Sequence, residues 1–175
     1  MNYLSFLFAL VLCLTASAQT PGEWTWMTGS IATNDPVFGV QGVPANGNTP
    51  GHSYEARSWV DQQGNFWLYG GLDIINLVNY NDLWRYNPTT NQWTWMNGTP
   101  NDPGLGIISP AVYGPQGVFN ATNQPGSSWI YSDWKALDGT FYMFGNNDFT
   151  FGGQTSVMWR FDPAINQWAW VGGSI

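Results

Sequence analysis

From Tyr3 to Leu14 the chain is almost unbroken apolar, and beyond that point apolar residues fall in short clusters separated by Gly, Pro, Asn and Asp. None of the later clusters has helical spacing, so strands are expected throughout. Residues 55 to 61 lead through Gln62-Gln63-Gly64-Asn65 into Phe66-Trp67-Leu68-Tyr69, and Trp134 to Leu137 lead through Asp138-Gly139 into Phe141-Tyr142-Met143-Phe144. Asp-Gly between apolar runs predicts a two-residue hairpin with positive φ at both turn positions. The strand after each turn is apolar at every position, as in a sheet covered on both faces. Gly70-Gly71 and Gly145-Asn146 are expected to end it. A third strand, Leu83 to Tyr86 or Met158 to Phe161, is bounded by Asn87-Pro88 or Asp162-Pro163, because proline cannot donate to a ladder. The fourth, Gln92 to Met96 or Gln167 to Val171, carries Trp residues two apart and so on one face.

These clusters belong to a repeat. Residues 37 to 100 align with 112 to 175 at a constant offset of 75 without a gap, and 22 of the 64 aligned positions are identical. Gln41-Gly42-Val43 matches Gln116-Gly117-Val118, Trp84-Arg85 matches Trp159-Arg160, and Asn91-Gln92-Trp93 matches Asn166-Gln167-Trp168. Upstream, Trp24-Thr25-Trp26-Met27 echoes Trp93-Thr94-Trp95-Met96. The expected organisation is an outer strand of a partial blade over 23–27 and two four-stranded units over 53–97 and 128–173. Four antiparallel strands per unit, covered on both faces, is how propeller blades bury themselves against their neighbours.

Residues 1–18 read as a signal peptide. The apolar run is about a dozen residues, where a membrane span needs about 20. Thr15-Ala16-Ser17-Ala18 then supplies the small residues of a cleavage site after Ala18. The mature region, 19–175, is therefore expected to be secreted, periplasmic or on the cell surface, and it contains no cysteine, since Cys13 lies in the leader. Only 9% of residues are charged, with a net charge of −7, so a nucleic-acid partner is excluded by repulsion from phosphate. The 12 Trp, 21 Gly and 11 Pro fit packed sheets joined by turns.

The order of features resembles Kelch repeats of the type in galactose oxidase-like β-propellers. Those features are an inner strand, a strand carrying Gly70-Gly71, an aromatic third strand with Asn81-Asp82-Leu83-Trp84 and a fourth with Trp93-Thr94-Trp95. The resemblance is to a long-repeat form in exported bacterial proteins. It implies an all-β fold, with Kelch-type blades of four antiparallel strands, two full blades and one N-terminal strand making an incomplete propeller. These units exceed the ~50 residues of a Kelch repeat, with the surplus in the Pro/Gly/Asn-rich stretch ahead of the first strand. Two blades fall short of the about four to eight that close a ring. The chain is accordingly expected to be the N-terminal part of a longer frame, with self-association into a ring or a stand-alone two-blade stack as the alternatives.

Candidate chemistry is sparse. The copper site of galactose oxidase-like enzymes needs two His, two Tyr and a Cys, whereas this chain has one His and loses its only Cys with the leader. That activity is not carried over, and neither a cofactor nor a metal is expected. Most acids fall at turns, as Asp138 and Asp162 do, where Asx-turn duty explains them. No Asp-x-Asp-x-Asp-Gly calcium run occurs. Arg85 and Arg160 sit inside aromatic strands, where stacking or a salt link is expected. The repeated Trp residues are expected to pack blades together, so specificity is sought where the copies differ: His52 against Ser127, Tyr54 against Trp129, Glu55 against Ile130 and Arg57 against Ser132. The candidate binding residues are His52, Tyr54, Glu55, Arg57 and Trp129, at the approach to the innermost strand. The expected function is non-catalytic recognition or scaffolding of a protein or glycan. The alternative is a hydrolase or lyase completed by downstream blades.

Overall fold

The computed structural model describes residues 22–32, 34–100, 109–127, 129, 132–148 and 153–174. The leader, Ser128 and Ile130 lie outside them. Among the described residues the structure is all-β, and no helix is long and apolar enough to cross a membrane. Strands β1 (Arg57–Val60), β2 (Phe66–Asp73), β3 (Val78–Asn87) and β4 (Gln92–Asn97) form one antiparallel sheet in sequence order. Strands β5 (Ser132–Lys135), β6 (Phe141–Asp148), β7 (Gly153–Asp162) and β8 (Gln167–Gly172) form a second. Registers repeat with the sequence offset: Trp59 opposes Trp67 as Trp134 opposes Tyr142, and Trp84 opposes Trp95 as Trp159 opposes Trp170.

Three local expectations are corrected. The Asp138-Gly139 hairpin is not a two-residue turn: Ala136 N donates to the Thr140 carbonyl at 2.9 Å, and only Gly139 is left-handed, at φ 89°. The loop spans three residues, and a type I turn closed by a glycine needs just that one positive φ. Gly70-Gly71 does not end β2. Both glycines have positive φ, 60° and 101°, and the register slips between Tyr69 and Gly71, so the pair forms a bulge through which β2 bends and continues to Asp73. The same slip recurs between Phe144 and Asn146. Finally, residues 23–27 join no ladder, and Trp24 is 99% exposed. Among the described residues each sheet holds four strands, and this segment adds a strand to neither.

Opposed residues share a face, so each sheet has two. In the first blade Trp59, Trp67 and Tyr69 form what we call the leading face, and Phe66, Tyr86 and Trp93 the trailing face. The blades stack leading face to trailing face. Trp59 lies parallel to Phe141 with ring centres 5.1 Å apart, Trp67 contacts Phe141 and Phe161, and Tyr69 meets Trp168 edge-on at 5.3 Å. One buried cluster therefore spans both blades, with Leu83 and Met96 on one side and Met143 and Trp159 on the other.

The surplus residues of the repeat fold as an arm along the outer edge of β4. Val37 and Thr49 exchange backbone hydrogen bonds to close it, Gly42 N donates to the Trp95 carbonyl at 2.8 Å, and Asn48 Nδ2 donates to the carbonyls of Val43 and Trp93. The second blade repeats this, with Val112 and Gln124, Gly117 to Trp170, and Asn123 to Val118 and Trp168. Phe38 wedges between Trp84 and Trp95 as Tyr113 does between Trp159 and Trp170. An exposed strand edge invites pairing with other chains, and the arm occupies that edge.

Candidate functional site

The five predicted residues gather at one end of the sheets, where β2 gives way to β3 and the chain enters β1. The ladder of β1 and β2 is extended there by a bridge between Tyr54 and Leu72. His52 lies just before it, its ring between two acceptors: Nδ1 is 2.8 Å from the Asn34 carbonyl and Nε2 is 2.8 Å from Asp73 Oδ1. A carbonyl and a carboxylate both call for N–H, so the site favours the imidazolium. The Asn34 carbonyl, opposed by desolvation and helped by Asp73, raises the pKa of His52 above its usual 6.5. Asp73 is buried, which alone would raise its pKa. The amide and side chain of Asn76, His52 and the Ile75 amide more than offset that burial and hold it at about 2. Tyr80 donates to the other carboxylate oxygen at 3.4 Å.

His52 therefore fastens the base of the arm to the end of β2. Its counterpart has the same duty in shorter form, since the Ser109 amide donates to the Ser127 hydroxyl at 2.9 Å. Tyr54 and Glu55 are different. Tyr54 is half exposed, and the neighbouring Glu55 carboxylate raises its phenol pKa. Glu55 sits at φ 55°, a left-handed conformation that costs a non-glycine residue about 1 kcal/mol or more. Arg57 and Trp129 meet across the blades, Nη2 donating to the Trp129 carbonyl at 3.2 Å. The predicted set thus divides into a fastener, an exposed aromatic-acid pair and a cross-blade link.

Sequence reasoning missed Asp73, Tyr80 and Asp82. Asp82 is 3% exposed and accepts from Trp84 Nε1 at 2.6 Å, and burial pushes its carboxyl up to about 7. Differences between copies would have found two of these, because Tyr80 faces Thr155 and Asp82 faces Val157 in the alignment. Asp73 matches Asp148, so that signal was silent for it.

At the opposite end, a polar recess of about 240 Å³ is lined by Gln62, Gln63, Asp138, Gly139 and Asp162 to Ala164. Its acids serve their own turns: Asp138 accepts from Thr140 and from Arg160 at 2.8 Å, and Asp162 from the Ala164 amide. Arg160 also stacks over Phe119 and Tyr142, and Arg85 over Trp67. Among the described residues no group of three His, Cys, Asp or Glu could hold a metal ion.

No protein-family model matches the chain. No curated protein matches it either. Among solved structures, that of YjhT superposes on 71% of this chain at 19% identity with a TM-score of 0.42. The chain spans 38% of that structure's length.

Proposed function

We propose that this chain is an exported, Kelch-like recognition or scaffold module that binds a glycan or protein through the rim built by Tyr54, Glu55 and Arg57. The supporting observation is the Tyr54–Glu55 pair, in which an aromatic face and a carboxylate are presented together, half exposed, on left-handed backbone where the two blades differ. An aromatic face stacks on a sugar ring or apolar side chain, and a neighbouring carboxylate accepts from hydroxyl or amine groups. The acids that bear on an enzymatic reading are engaged elsewhere. Asp61 accepts four hydrogen bonds from its own hairpin, Asp73 and Asp138 stabilise turns, and Asp82 is buried against Trp84.

The test is a screen of the purified protein against an oligosaccharide array and an extracellular protein panel, with hits followed by titration calorimetry. Alanine at Tyr54, Glu55 or Arg57 is expected to weaken a genuine hit about tenfold or more, as loss of a central contact does. Unchanged affinity in all three variants would remove the rim from the binding surface.

A further inference from the structure

The two outward faces of the blade pair are the two halves of the interface already buried inside it. The first blade's trailing face exposes Val60 (44%) and Phe66 (46%), beside Tyr86 and Trp93. The second blade's leading face exposes Trp134 (42%) and Phe144 (41%), beside Tyr142. Through the offset of 75, Phe66, Tyr86 and Trp93 correspond to Phe141, Phe161 and Trp168, and Trp134, Tyr142 and Phe144 correspond to Trp59, Trp67 and Tyr69. The ring geometry is already set for docking. Phe66 stacks on Tyr86 at 6.0 Å as Phe141 stacks on Phe161 at 6.0 Å.

We propose that copies of this chain assemble head to tail, the leading face of the second blade in one copy docking on the trailing face of the first blade in the next, to close a ring. The occupant is a second copy because each free face matches, position for position and aromatic for aromatic, a face that this same chain already buries. Backbone groups at the blade edge agree. The Met96 carbonyl accepts from Gln41 of its own arm and from Asn166 of the next blade, at 3.2 and 2.9 Å. Its counterpart, the Val171 carbonyl, accepts from Gln116 of its own arm, and the counterpart of Asn166 is Asn91. Asn91 has the same left-handed backbone, φ 56° against 52°, and Tyr86 holds its side-chain oxygen at 2.6 Å, which leaves the amide nitrogen to donate across the junction.

The junction between copies is more apolar than the one within the chain. Tyr69 donates to Pro125 and Gly126, whereas its counterpart Phe144 has no hydroxyl. Lys135 reaches the Val60 carbonyl, whereas its counterpart is Val60 itself. At the rim, Ser132 replaces Arg57 and is too short to cross to the next copy, so Tyr54 stays open. A head-to-tail contact generates a closed ring when its rotation closes. Known propellers close with roughly four to eight blades.

The experiment is light scattering and native mass spectrometry on the protein as its host processes and exports it, across a wide range of concentration. A discrete closed oligomer that grows no further is the expected result. Phe66→Asp on the trailing face and Trp134→Asp on the leading face are each expected to weaken association at least about thirtyfold, the effect of losing a hot-spot aromatic. Mixed together, the two variants retain one intact face each and are expected to form a one-to-one dimer that stops there. Circular dichroism checks folding, and Val60→Asp or Phe144→Asp replaces either variant if it fails to fold. A monomer at every concentration overturns the proposal and leaves the faces to a different partner. So does a dimer abolished by one variant alone, which marks a like-with-like contact, and so does an assembly untouched by both.

Discussion

Asp73 and His52 each shift the other's ionisation, and a third group, Asp82, sets a pH dependence of its own. Asp73, lowered from 3.8 to about 2, contributes stability at higher pH that disappears as the pH falls through 2. His52, raised above 6.5, contributes fully below 6.5 and loses that contribution as the pH rises through its folded value. Asp82, raised from 3.8 to about 7, keeps its proton in the fold while the unfolded chain has lost it, so stability falls between those two values as the pH rises. The three dependences together place maximal stability on the acidic side of neutrality. Urea unfolding is expected to give a higher midpoint near pH 5 than near pH 8. In Asp82→Asn the slope between them should flatten, with a gain of about 1 to 3 kcal/mol near pH 8 because no buried charge forms. A steeper slope in that variant would refute the assignment. The second blade shows that Trp84's position tolerates loss of this acceptor: Val157 replaces Asp82, and Trp159 Nε1 is buried without a partner among the described residues.

At the scale of elements, one buried amide side chain in each blade, Asn48 or Asn123, bonds both within the arm and to the blade's last strand. Asn48 ties Val43 within the arm to Trp93 in β4, so Asn48→Ala is expected to loosen the arm and leave β2 and β3 intact. Hydrogen exchange at Gly42 and Ala45, whose amides donate to Trp95 and Trp93, should rise about tenfold, with Trp67 and Leu83 unchanged. Uniform exchange across the blade would mean that the arm is not a separate unit. The strands themselves were legible in the sequence because apolar clusters bounded by turn residues and a gapless repeat act together. Each of the four pairs overlaps its expected segment, although β2 and β3 run longer and β5 ends at Lys135, two residues before Leu137. The arm was visible only as surplus length. Its attachment to β4 rests on bonds between residues about 50 apart, such as Asn48 and Trp93, which no local pattern encodes. Gly70-Gly71 misled because a bulge and a strand end both use positive φ, and only the partner at Tyr80 distinguishes them. Of the candidate site, the location was legible from differences between copies. The role of His52 was not, because it is decided by Asn34 and Asp73, 18 and 21 residues away.

For the molecule as a whole, the two blades share one core and should unfold together. Phe141 contacts Trp59 and Trp67 in one blade and Phe161 in the other, so Phe141→Ala removes packing from both. A loss of about 3 to 5 kcal/mol is expected. It should appear as one transition, coincident by tryptophan fluorescence and far-UV circular dichroism. Two separated transitions would show that each blade holds itself together alone. The arm adds a consequence of a different kind. It precedes its blade in sequence yet covers that blade's last strand, so each block of 75 residues completes its own sheet and borrows no strand from the next. A copying event in the gene that adds or removes one such block leaves no sheet half made. Tandem duplication could therefore lengthen the array one blade at a time, with every intermediate still a set of finished sheets.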